Sequence, residues 1–152
     1  MVTALMLSCS ATVFSQAVPA DWKVIRDARS MCQIAVPPDW DVFGEVSGAA
    51  VFHDPTTAIA VVTSQPGQEY KPLTGWLLKS IGVPKELMFE NSATRIFYQD
   101  KVSRGAEDTS AFSSSVPAKR GTCSCRVVVV PRVGEELAKK IVLSLSSVAE
   151  KN

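Results

Sequence analysis

A chain of 152 residues with 46% hydrophobic and 20% charged residues has the composition of a folded domain, not of a disordered segment. Its 16 Lys and Arg against 15 Asp and Glu leave a net charge of +1, with no basic run, acidic tail or aromatic-basic interleaving. Nucleic acid and anionic membrane surfaces are therefore poor candidate partners.

Residues 1–20 read as an export signal. Val2 to Phe14 is uncharged and mostly apolar, too short and too often broken by Thr3, Ser8, Ser10 and Thr12 for a span, and it runs into Ser15-Gln16-Ala17-Val18-Pro19-Ala20. Cleavage is expected after Ala17, with Ser15 and Ala17 as the small pair, or after Ala20. The absence of Lys or Arg before Lys23 departs from the usual basic start of such a signal. Met6-Leu7-Ser8-Cys9 loosely resembles a lipobox, which would make Cys9 a lipid-bearing residue of a lipoprotein. Residues 21–152 are then one domain, long enough for a single core, and periplasmic or extracellular. No further transmembrane span is expected in it.

In chain order, Trp22 to Arg26 and Met31 to Val36 alternate as strands, separated by the turn residues Asp27 to Ser30. Pro37-Pro38 stops the second strand, and Trp40 is expected as a lid on the core. Ala49 to His53 and Ala58 to Ser64 form a hairpin through Asp54-Pro55-Thr56-Thr57. Leu73, Trp76, Leu77 and Ile81 recur at helical spacing until Gly82-Val83-Pro84, with Pro72 suited to the first helical position. Strands follow at Leu87 to Phe89, Thr94 to Val102, Ser110 to Val116 and Thr122 to Val130. Lys119-Arg120-Gly121 makes the tight connection between the last two, Gly121 being able to take positive φ. Glu135 to Lys151 is the clearest helix, with the apolar stripe Leu137, Ile141, Leu145 and Val148. This order predicts an α+β fold, a single antiparallel sheet flanked by helices. The echo between Ala17 to Trp22 and Ala35 to Trp40 extends no further and marks no repeat.

The strand ending in Pro37-Pro38-Asp39-Trp40, the glycine-bearing loop after it, Val51-Phe52-His53-Asp54-Pro55 and the carboxy-terminal Ile141-Val142-Leu143-Ser144-Leu145 together resemble the PsbP/DcrB superfamily. That group includes an extrinsic photosystem II subunit, a Ran-binding nuclear import factor and bacterial envelope lipoproteins. The resemblance covers about Met31 to Val148. It implies an α-β-α sandwich acting as a binding or assembly module, with no shared catalytic motif to carry over.

Cysteine is the most chemically suggestive residue type. With Cys9 removed, Cys32, Cys123 and Cys125 remain, and Cys123 and Cys125 share one strand face with Val127 and Val129. Two thiols so placed are poorly set to bond each other, so Cys32 is expected to pair with Cys123 or Cys125 in an oxidising compartment, leaving the third thiol buried and inert. A metal-handling alternative gathers Cys32, Cys123, Cys125 and the sole histidine, His53, as a zinc or copper(I) set. A nucleophile reading would need His53 to activate Cys123 or Cys125, with Asp54 or Asp39 orienting the ring. Ser113-Ser114-Ser115 has no Gly-x-Ser-x-Gly setting, and P-loop and Rossmann glycine patterns are absent, so no cofactor is expected. The leading expectation is a non-enzymatic exported module that binds another envelope component, a protein partner first of all. Its contacts are expected on the loops Gly44 to Gly48, Gln65 to Pro72 and Arg104 to Thr109.

Overall fold

The computed structural model describes residues 17–46, 49–53, 58–104, 107–129 and 134–149. The export segment up to Gln16 with Cys9, the turn Asp54 to Thr57, Val130 and Lys151 lie outside the described residues. Strand β1 (Lys23–Arg26) pairs antiparallel with β2 (Cys32–Val36), Lys23 opposite Val36 and Arg26 opposite Gln33. The turn between them is organised by one buried carboxylate. Asp27 accepts the backbone N–H groups of Met31 and Cys32, each at 2.8 Å, and of Arg29 at 3.2 Å, and takes the Ser64 hydroxyl at 2.5 Å. Pro37-Pro38 then ends β2, and Trp40 turns back to donate its N–H to Pro37 O at 3.2 Å while its indole fills the core.

The chain continues through β3 (Asp41–Val46), β4 (Ala49–His53) and β5 (Ala58–Pro66), then α1 (Gly75–Ser80), a single 3-10 turn (Lys85–Leu87) and β6 (Met88–Asn91). It closes with β7 (Ile96–Arg104), β8 (Glu107–Ala118), β9 (Gly121–Val129), α2 (Glu135–Leu143) and β10 (Ser146–Ser147). Two antiparallel sheets result: a seven-stranded sheet in the order β3-β4-β5-β9-β8-β7-β6 and a three-stranded sheet β1-β2-β10.

Alternation along β9 sets the layers. Cys123, Cys125, Val127 and Val129 are buried, whereas Ser124, Arg126 and Val128 are only partly so. In register with the buried set stand Ala60 and Val62 on β5 and Phe112 and Val116 on β8. On this face the small sheet contributes Cys32, Ile34 and Val36, and α2 contributes Ala138, Ile141 and Val142, closing one apolar core with Leu145. The turn between β8 and β9 is the tight Lys119-Arg120 connection. A Cβ on Gly121 would lie 2.1 Å from Gln65 O, so the approach of β5 admits only glycine there.

The helix-flanked α-β-α sandwich is therefore incorrect: the molecule is mostly sheet, one sheet lying on another, with two α-helices among the described residues. The physical reason lies in both helices. The first is six residues long, begins at Gly75 instead of Pro72, and buries none of its side chains, so it covers neither sheet. The second stops at Leu143, because Ser144 turns its hydroxyl to Ile141 O at 2.6 Å and also accepts Ala35 N–H at 2.8 Å. The residues beyond pair with β2 instead, Ser146 opposite Gln33 and Ser147 opposite Cys32. Leu145 is still buried at 1% exposure, but from the bend, and Val148 joins Met31 O through its N–H at 2.8 Å.

Candidate functional site

Cys32 of β2 and Cys123 of β9 form a disulfide with their Cα atoms 5.5 Å apart. The strands do not pair with each other; they face each other from the two sheets, so the bond staples sheet to sheet at fully buried positions. Asp27 and Ser64 tie the same two sheets one turn away. Cys125 is the free, buried thiol. Burial pushes its pKa far above the ordinary thiol range, outweighing the opposing pull of Arg95. A buried thiol held protonated in this way is a poor nucleophile. The guanidinium of Arg95 donates to Ser114 Oγ at 2.9 Å and to Leu145 O at 3.2 Å, so it holds the bend after α2 against the sheet.

These placements separate the residues of the metal and nucleophile readings. Cys32 and Cys123 are consumed by each other. His53 stands in register with Ile59 of β5, three positions from Val62, the partner of Cys125. That odd offset assigns the two positions to opposite faces of the sheet. Asp39 is exposed, and Asp54 lies outside the described residues. Among the described residues no group of three or more His, Cys, Asp or Glu is placed to hold a metal ion. The serine run is absorbed structurally: Ser113 takes Arg126 Nη1 at 3.3 Å, Ser114 takes Arg95, and Ser115 bonds Ser124 at 3.0 Å.

The expected contact loops fare differently. Gly44 to Gly48 falls partly in β3, which the glycines had suggested as a loop, and 47–48 lie outside the described residues. Of Arg104 to Thr109, Arg104 ends β7 opposite Glu107, which begins β8, and 105–106 lie outside the described residues. Gln65 to Pro72 is instead the foot of a long excursion from β5 to β6 that carries α1 at its far side. The foot is pinned repeatedly. Gly67 N–H donates to Arg120 O and the Thr122 hydroxyl to Gln68 O, each at 2.8 Å. The Tyr70 hydroxyl donates to Ser92 O at 2.8 Å, and the Asn91 side chain clasps Leu73 with both its oxygen and its nitrogen, each at 2.8 Å. Beyond that clasp Trp76, Leu77 and Leu78 are 73%, 42% and 38% exposed. Helical spacing picked out Trp76 and Leu77 in the sequence, but not Leu78 and not the exposure of the three.

Sequence reading also missed a hollow of about 350 Å³ beside the β8–β9 turn, whose lining among the described residues includes Arg29, Lys119 and Arg120. Only the pairing of β2 with β10 and the packing of the sheets bring Arg29 to the Lys119-Arg120 turn.

No family model and no curated protein matches the chain. Among solved structures it is similar to a crystal structure from Bacteroides thetaiotaomicron VPI-5482, at 11% sequence identity and a TM-score of 0.62. The match covers 86% of this chain and 50% of that one, so this chain spans about half the length of its structural neighbour. At that identity the likeness concerns the fold alone.

Proposed function

We propose that this chain is an exported, non-enzymatic binding or assembly module of a bacterial envelope. The observation that carries the reading is the fixed presentation of an apolar segment: Trp76, Leu77 and Leu78 stand exposed on a helix whose foot is clasped by Asn91 and Tyr70. A contiguous exposed apolar patch is costly to keep in water and marks an interaction surface, the more so when hydrogen bonds hold it in place. The Cys32–Cys123 bond supports export, because buried structural disulfides persist in oxidising compartments. The metal-handling alternative loses two of its four ligands to that bond.

The reading is tested by a photo-crosslinking residue placed at Leu78 in the native host, with the exposed Thr94 as control. Adducts with an envelope component from position 78, and not from 94, are expected. No adduct from position 78 overturns the reading.

A further inference from the structure

We infer that the exposed helix α1 is a membrane-contacting tip, inserting Trp76, Leu77 and Leu78 into the interface of a lipid bilayer. The inference rests on the docking reading above and names the component docked. Its first support is angular. Successive residues of an α-helix are about 100° apart, so three consecutive side chains fan over about 200° of its circumference. A protein groove receives a helix through a narrower stripe at i, i+3, i+4 and i+7. Here the apolar residues are consecutive and all exposed, and Leu73 and Ile81 at the helical repeat are the ones that turn partly inward. A fluid interface can close around such a fan, and a groove of fixed shape covers only part of it.

Composition points the same way. Lys71 to Lys85 contains Trp, three Leu, Ile and Val together with three Lys, and no Asp or Glu. Tryptophan at the water boundary and lysines whose stems lie along apolar surface are features of interfacial segments. Lys71 is paired at the foot with Glu69 at 2.9 Å, which leaves Lys79 within the helix and Lys85 at its far base. The whole-chain charge of +1 argues against electrostatic attraction of the entire molecule to anionic lipid. The contact is accordingly apolar insertion, with lysines at its rim tolerating anionic headgroups. No helix among the described residues is long and apolar enough to cross a membrane, so the tip enters one leaflet only.

The test is sedimentation of the purified mature protein with vesicles of phosphatidylethanolamine and phosphatidylglycerol, at low and at 0.5 M salt (on the order of the concentration that screens surface charge). Binding is expected at both salts, with about a tenfold loss for Trp76→Ser combined with Leu78→Ser. Lys79→Glu, a second variant at an exposed position, is expected to weaken binding several-fold. The mature protein has Trp22, Trp40 and Trp76, of which Trp40 is buried, Trp22 partly buried and Trp76 73% exposed. Vesicles should therefore shift tryptophan emission to the blue in the native protein and not in Trp76→Phe, which should still sediment. Absence of vesicle binding, or binding that the double variant retains in full, overturns the inference. If position 78 then crosslinks to a protein, the docking reading stands and the lipid assignment alone falls; if it crosslinks to nothing, both fall.

Discussion

Two regions of this molecule treat apolar side chains in opposite ways. Between the sheets, Cys32, Ile34, Val62, Val127 and Ile141 are withdrawn from water almost completely, and a covalent bond together with the Asp27–Ser64 hydrogen bond reinforces the closure. On the excursion between β5 and β6, Trp76, Leu77 and Leu78 are left in water, while the polar contacts are spent on fixing the foot of the segment. The helix α1 buries none of its side chains. Holding it away instead separates the closed core from the exposed segment, and the two should respond to different substitutions.

The largest effect belongs to the staple. The bond closes a loop with a sequence separation of 91 residues, and in the chain-entropy model its removal by Cys123→Ala or by reduction should cost about 4 to 5 kcal/mol, read from the urea midpoint. A loss under about 1 kcal/mol would show that the sheets hold each other without it. Next comes Leu145→Ala. This side chain is 1% exposed and should cost about 2 to 5 kcal/mol. A change within about 0.5 kcal/mol would place the bend after α2 outside the core. Asp27→Ala should follow at about 1 to 3 kcal/mol, because the N–H groups of Met31 and Cys32 would lose their carboxylate partner in a buried turn. Smallest of all should be Trp76→Ser with Leu78→Ser, expected to move stability by no more than about 0.5 kcal/mol in the same unfolding assay. A larger loss would mean that α1 contributes to the core and that the contrast between the regions is wrong.

Much of this contrast could be read from residue order, but not the exposure of α1. Alternation in Cys32 to Val36 and Thr122 to Val129 located β2 and β9, because a half-buried strand writes its faces into every second residue. β3 escaped notice because Gly44 and the irregular register between Val42 and Gly44 break the alternation. The terminal helix was read too long since Leu145 and Val148 fall by coincidence at helical spacing from Ile141, while the hydroxyl of Ser144 ends the helix between them. Periodicity likewise placed Trp76 and Leu77 on one helix, but it reports which residues neighbour each other and not whether anything lies opposite. Cysteine spacing left two partners open for Cys32. The choice of Cys123 depends on how β2 crosses β9, a relation between strands 91 residues apart that no local pattern encodes. The hollow beside Arg29, Lys119 and Arg120 was illegible for the same reason.

The most direct test of an exported scaffold closed by one inter-sheet bond is intact mass spectrometry of the protein recovered from its native host, alkylated in denaturant with and without prior reduction. The expected result is an amino terminus at Val18 or Asp21, one alkylated thiol before reduction and three after it. Three alkylated thiols without reduction, or a chain still beginning at Met1, would contradict the account.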